Sequence, residues 1–343
     1  MKKSIGLLVV AALLLGIFVY ASQSMSSDMN ASEISLCLVV PTEFGDKSFN
    51  DSAKEGADRL KEEYGVKTST IECKGQAYKQ GLTTAAEKNN IVVAVGWEFS
   101  DIKAVAEEYP GTNFLWVDNV VDQVETSPNI LCITYRQNEG GFLAGYIAAR
   151  LSQMNAIGAV GGADDENVND FMVGYEQGAK YANDGISVYT NYVGDYENIE
   201  MGKTCAEELN AKGADVIFQI AGNAGNGVFQ AAKEKGFYAI GVDEDQKISA
   251  SEFDDVIVCS VKKEIGESIY DAVSDFIVED EWQGGTNEVY GIADGYISIA
   301  YGSAESTQQV TDDIKNEISE LSRKIADGTL EVDSYEPDVE DDE

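Results

Sequence analysis

Two stretches of this chain follow the same schedule, in which short apolar runs alternate with amphipathic ones until a run closes on Val-Asp, first at Val117-Asp118 and then at Val242-Asp243. In the first, Ile34 to Val40 is rich in β-formers, Ile91 to Val95 stops at Gly96, and Phe114 to Val117 stops at Asp118. In the second, Ala156 to Val160 opens, Val216 to Ile220 stops just before Gly222, and Tyr238 to Val242 stops at Asp243. Gly96 precedes Asp118 by 22 positions and Gly222 precedes Asp243 by 21. Between the runs, Ala53, Ala57, Leu60 and Tyr64 recur at helical spacing and share one face. Short apolar strands alternating with such helices predict two parallel sheets covered on both faces. Open parallel sheets bind ligands beyond the carboxyl ends of their strands, where Gly96, Asp118, Gly222 and Asp243 would lie. One such aspartate alone reads as a helix cap or turn residue; the matched pair points to a cleft.

The ends bound the working part. Lys2, Lys3 and the apolar stretch Ile5 to Ala21 read as an export signal or an uncleaved anchor over residues 1–21, followed by a polar linker to residue 33. No cysteine stands near the end of that stretch to carry an acyl anchor. The expectation is an extracytoplasmic protein, at the outer face of the membrane or in the periplasm, of two ordinary domains. The acidic end, 328–343, reads as a tail that is disordered from Glu336 onward.

With 24 basic residues against 61 acidic ones and a formal net charge of −37, the chain repels nucleic acid and anionic headgroups. It contains no histidine, which removes Ser-His-Asp and Cys-His catalysis and every His-based zinc site. Paired acids alone can cleave glycosides, and Asp164-Asp165-Glu166 and Asp243-Glu244-Asp245 are the compact candidates, although solvated loops explain them more simply. No metal site or cofactor is expected. The five cysteines are spread singly and read as buried thiols, with a Cys37–Cys73 bridge conceivable in an exported protein.

Two strings look like cleft walls. Gly222-Asn223-Ala224-Gly225-Asn226-Gly227 lacks dinucleotide-site spacing and reads as a glycine lip at a helix start. Gly45-Asp46-Lys47-Ser48-Phe49-Asn50 leads from the first strand into the first helix, with Ser48 or Asp46 able to cap it. Phe49 is either a hydrophobic staple or a ring that stacks on a flat ligand, with Asn50 able to donate and accept at a base edge.

These strings, with Glu139-Gly140-Gly141-Phe142-Leu143-Ala144-Gly145, Gly194-Asp195-Tyr196, Gly241 to Gln246 and Ser260-Val261-Lys262-Lys263, occur in an order that resembles the basic membrane protein family of substrate-binding lipoproteins, nucleoside-binding components of ABC importers. The resemblance spans about Ile34 to Asp327. It implies an α/β type I periplasmic-binding fold, two Rossmann-like lobes joined by crossovers and closing on a nucleoside, purine favoured. It assigns 34–135 plus 250–290 to the first lobe and 136–249 plus 291–327 to the second. It further implies that Phe49 stacks on the base, that Asp46 and Asn50 bind beside it, and that Asp243 holds the ribose. Lys263 is the matching lysine, with Lys262 as the alternative register, and Tyr196 the second stacking ring, with Phe218 behind it. Trp97, Asp118 and Gly222 complete the expected site. Two departures stand out: the first strand ends Val40-Pro41 where many relatives have aspartate, and Trp97 offers a wider face beside the base.

On this reading the chain is a monomeric, non-enzymatic receptor that serves an ABC permease. An exported nucleoside or glycoside hydrolase and a ligand-sensing module are the alternatives.

Overall fold

The computed structural model describes residues 31–337. The expected export segment, most of the linker and the last acidic residues lie outside them. The first sheet runs in the order β11-β5-β4-β3-β1-β2 and the second β12-β10-β9-β8-β6-β7. In the first, β1 is Ser35–Val40, β2 Lys67–Glu72, β3 Ile91–Val95, β4 Asn113–Val117, β5 Ile130–Tyr135 and β11 Thr286–Tyr290. In the second, β6 is Ala156–Gly161, β7 Ser187–Tyr192, β8 Val216–Ile220, β9 Tyr238–Asp243, β10 Ile257–Lys263 and β12 Ile297–Ala300.

The central strands β3 and β8 are buried at every position, while the edge strands β2 and β7 alternate between exposed and half-buried. This is the burial that parallel sheets sandwiched between helices impose. Both sheets share a doubly wound order in which the third strand pairs beside the first, so each has a switch point where the chain reverses direction across the sheet. Ligand crevices open at such points. The sixth strands differ: β11 joins parallel to β5, whereas β12 joins antiparallel to β10.

The helix Phe49–Tyr64 buries Ala53, Ala57 and Leu60 on the face their spacing defines. After β5 the chain crosses to the second lobe, where the helix Gln137–Leu151 packs against the helix Glu166–Ala182. A side chain at Gly141 or Gly145 would collide with the Phe171 or Tyr175 carbonyl, so the glycine-rich string at 139–145 serves close helix packing.

The lobe boundary near residue 250 needs correction. Strand β10 pairs with β9 in the second sheet, and the chain returns to the first lobe only after Lys263, through the helix Ile265–Glu279 packed on Phe49–Tyr64. β10 occupies in the second sheet the position that β5 fills in the first, beside the fourth strand of its own copy, so it completes that copy before the chain leaves it.

The acidic end also differs in part from a free tail. The Asn138 side-chain amide donates to the Val332 and Asp333 carbonyls at 3.1 Å each, and Asp170 accepts from the Tyr335 N–H at 2.8 Å. All five cysteines are buried free thiols, so Cys37 and Cys73 form no bridge.

Candidate functional site

A cavity lies between the carboxyl ends of the two sheets. Asp46, Phe49, Asn50, Trp97, Asp118, Tyr196, Gly222, Asp243 and Lys263 all line it. Lobe one supplies the loops after β1, β3 and β4; lobe two supplies those after β6, β7 and β8 and the ends of β9 and β10.

The two Val-Asp endings are structural equivalents. Asp118 has φ +75° and Asp243 φ +65°, a left-handed backbone that non-glycine residues seldom adopt. Both are 7 % exposed. At each strand end this turn holds the carboxylate in the cleft, where a left-handed backbone costs on the order of 1 kcal/mol or more.

Each aspartate is held by the opposite lobe. Lys263 Nζ lies 2.6 Å from Asp118 Oδ1, a buried ion pair across the cleft. The Ser48 hydroxyl donates to Asp243 Oδ2. Two further bonds close the cleft: the Asn167 amide to the Asp118 carbonyl at 3.0 Å, and the Gln246 amide to the Lys47 carbonyl at 2.9 Å. Lys263 also sits 4.8 Å from the Tyr135 ring centroid and 5.4 Å from that of Phe49. Of the two candidate lysines Lys263 lines the cavity, while strand alternation turns Lys262 the other way, where it pairs with Glu264 at 2.6 Å.

The string at 45–50 divides its labour differently from a simple cap. Asp46 accepts from the Asn50 N–H at 2.9 Å and from the Ser48 and Asp51 N–H groups at 3.1 Å each, so it caps the helix and its oxygens are largely committed to backbone. That frees Ser48 to reach Asp243. Phe49 is half-buried on the cavity wall beside Asn50. The Asn50 amide nitrogen donates to Thr42 Oγ1 at 2.8 Å and to the Glu43 carbonyl at 3.0 Å.

Tyr196 donates its hydroxyl to Asp165 and lies over Gly162, where a Cβ would strike its ring. Phe218 is fully buried against Phe171 and Tyr175 and is core, which leaves Tyr196 as the ring of the second lobe that reaches the cavity from the 194–196 string. Of the glycine lip, only Gly222 and its neighbours Ala221 and Asn223 line the cavity; a Cβ at Gly227 would strike the Ile199 carbonyl, so that glycine serves helix packing. Trp97 stands 44 % exposed at the rim.

Glu98, Ser48, Phe171 and Asn167 line or close the site without a sequence signal for that role, and Asp165 stands out in sequence only as part of an acidic run. Asp165 and Asp243 belong to the acidic runs expected to be solvated loops, and both are corrected. Asp165 caps the helix Glu166–Ala182 by accepting from the Val168 N–H at 3.0 Å, and Asp243 is buried. Asp165 had a visible signal, an Asp placed three residues before a buried Val at a helix start. The Ser48–Asp243 bond spans 195 positions and leaves no local trace.

Burial dominates the electrostatics. It pushes Asp243 up to about 6, against the attraction of Lys263 and the Ser48 bond. It pushes Glu98 up to about 7, with Asp165 and Asp118 adding to the rise. Asp46 also reaches about 7 by burial, against its three N–H bonds. The Asp165 carboxyl is raised for the same reason, while its Tyr196 bond opposes the shift. Among the described residues no group of three or more His, Cys, Asp or Glu side chains could hold a metal ion, and no helix is long and apolar enough to cross a membrane.

The profile of a family described as Bmp, ABC transporter substrate-binding protein PnrA-like, matches residues 33–336. The chain belongs to this Bmp family. It is 33 % identical to basic membrane protein A of Borreliella afzelii over 312 residues, covering 89 % of this chain and 93 % of that one. It is 32 % identical to basic membrane protein D of Borreliella burgdorferi strain JD1, covering 92 % and 93 %. A solute-binding protein of an ABC transporter system from Aeropyrum pernix K1 superposes with a TM-score of 0.78 at 24 % identity, over 88 % of this chain and 94 % of that one. A periplasmic solute-binding protein from Actinobacillus succinogenes 130z, solved with D-allose, gives 0.60 at 14 % identity and supports the fold alone. The Bmp chain is thus a solute-binding protein of an ABC transporter with the type I periplasmic-binding fold. Such proteins bind small ligands outside the cytoplasm, deliver them to a permease, and are not enzymes.

Proposed function

We propose that the solute is a nucleoside, with purines favoured. The observation that carries this reading is the pairing of Phe49 from one lobe with Tyr196 from the other on the walls of one cavity that also holds Asn50 and buried carboxylates. A nucleobase is apolar on its faces and polar at its edge, so aromatic walls suit the faces and Asn50 suits the edge. Stacking contributes roughly 1 to 3 kcal/mol per base in nucleic-acid proteins. Ribose hydroxyls are donors, and Asp243 keeps one oxygen beyond the Ser48 bond to accept them. A phosphate suits the cavity poorly, because its one lysine is already paired with Asp118.

In this reading Phe49, Asn50, Trp97, Tyr196 and Gly222 frame the base, Asp243 binds the sugar, and Asp118 with Lys263 closes the lobes. Asp46 holds the Phe49 string in place. The lobes act as jaws, the N-terminal segment exports or anchors the chain, and the protein works as a monomer. Closure is driven by contacts made to both lobes at once.

Calorimetric titration with adenosine, guanosine, inosine, cytidine and uridine tests this. Saturable binding of purine nucleosides is expected; no binding of any nucleoside at millimolar concentration removes the reading.

A further inference from the structure

Two buried glutamines, Gln219 near the end of β8 and Gln246 just after β9, link the cavity wall to the opposite lobe. The Ala221 N–H donates to Gln219 Oε1 at 3.2 Å, the Gln219 amide nitrogen donates to Gln246 Oε1 at 2.6 Å, and the Gln246 amide nitrogen donates to the Lys47 carbonyl at 2.9 Å. Gln246 Oε1 also accepts from the Val242 N–H at 2.9 Å. A backbone N–H can only donate, so Ala221 and Val242 fix both amides from within the second lobe, and the Gln246 nitrogen is left to face Lys47. Two glycines clear the space for this pair: a Cβ at Gly225 would lie 1.8 Å from Gln219 Oε1, and one at Gly241 would lie 2.6 Å from Gln246 Oε1.

The run of amides begins at the wall and ends in the other lobe. Ala221 and Val242 line the cavity, whereas neither glutamine does. Lys47 presents its carbonyl from a left-handed turn, φ +57°, which Asp51 holds by accepting the N–H groups of Gly45 at 2.8 Å and of Lys47 at 2.9 Å. The next two residues of that turn are Ser48 and Phe49. The Ser249 hydroxyl adds a second, longer bond to the same carbonyl at 3.3 Å. Parting the lobes breaks the bond from Gln246 to Lys47 and leaves the other bonds of the two amides within the second lobe. An interaction made in only one of two states biases the equilibrium between them.

We propose that Gln246 is a positioning residue for ligand retention: without touching the ligand, it captures the Lys47 carbonyl, favours the closed lobes, and keeps the wall at Ala221 and Val242 in register with the loop that carries Phe49. This rests on the reading of the lobes as jaws around a nucleoside and adds a residue outside the cavity that sets how long the nucleoside stays. The ligand-binding walls set how fast it is recognised; the amide pair sets how slowly it leaves.

Two variants of the full chain test this. Gln246→Glu keeps an oxygen for the Val242 and Gln219 donors and sets a second oxygen against the Lys47 carbonyl; Gln246→Met removes the donor without adding a charge. Each is checked for a cooperative melt, and where one fails to fold the other decides. Stopped-flow fluorescence with inosine at pH 8 is expected to show dissociation about fivefold to fiftyfold faster than in the parent, with the association rate within about twofold. A merely structural role would lower the melting temperature and leave this split between the two rates unmoved. Solution X-ray scattering without inosine is expected to show a larger radius of gyration in the variants than in the parent. Dissociation rates and radii equal to the parent's in the folded variants overturn the role of Gln246 while nucleoside binding stands. If the parent itself does not bind inosine, the nucleoside reading falls, and the radii alone decide: larger ones support the capture of Lys47 and equal ones overturn it.

Discussion

The two lobes share strand order, and at the end of the fourth strand each carries an aspartate in the same left-handed turn, yet the aspartates are held differently. Asp118 is met by a lysine and Asp243 by a serine hydroxyl, each reaching across from the other lobe. A lysine neutralises its partner, so Asp118 is spent on joining the lobes. A hydroxyl leaves the charge in place, so on the proposed function Asp243 stays available as an acceptor. On the function proposed above, repetition of one backbone device gives a latch in one lobe and a binding group in the other.

Breaking the latch is expected to cost most. Lys263→Met leaves the Asp118 carboxylate buried and unpaired, with a stability loss of roughly 3 to 5 kcal/mol in urea unfolding. Adding Asp118→Leu to that variant is expected to restore much of the loss, because replacing both partners of a buried pair by apolar groups is often near neutral. If the single variant unfolds like the parent, Asp118 is not held as described. Ser48→Ala removes a hydrogen bond to a charged group and is expected to cost less, about 1.5 to 3 kcal/mol. An equal loss in the two single variants erases the distinction between latch and binding group.

Phe49→Ala sharpens the contrast from the ligand side. It is expected to weaken nucleoside binding by roughly 1 to 3 kcal/mol with little change in melting temperature. A large loss of stability with binding intact returns Phe49 to the role of a staple.

The smallest effect is with pH. Asp243, Glu98 and Glu244 have folded values raised to about 6, 7 and 7 by burial, above the ordinary carboxylate range. The folded state therefore holds more protons than the unfolded chain between about pH 4 and 7. The associated stability is fully present below the ordinary carboxylate values and lost as pH rises through 6 to 7, so the free protein melts higher at pH 5 than at pH 7.5. If Asp243 holds the ribose as proposed, nucleoside affinity is expected to move oppositely, because the carboxylate accepts a hydroxyl bond best when ionised. Thermal melts and titrations at the two pH values check both signs.

Much of this was legible in the chain because the informative features are periodic or local. The nearly equal spacing of glycine and aspartate, 22 and 21 positions, marks two strand ends that share a backbone turn, and the polar string around Phe49 marks a helix start that faces a cavity. Alternation along β10 separates Lys263 from Lys262 once one residue is known to face inward. What could not be read depends on which sheet a strand joins and what lies across a cleft. β10 has the same apolar character in either lobe, so its place was misassigned. Ser48 looked like a cap because the partner that claims its hydroxyl lies in the other lobe. Asp165 sits between exposed acids, so composition hides its half-buried place on the cavity wall.

The central claim is that Asp243 holds a ribose while the aromatic walls hold a base. Calorimetric titration of inosine and free hypoxanthine into the parent chain and into Asp243→Asn tests it most directly. The account predicts that the parent binds inosine well and hypoxanthine much more weakly, and that Asp243→Asn narrows this gap mainly by losing inosine affinity. Hypoxanthine binding as tightly as inosine, or an unchanged gap in the variant, contradicts it.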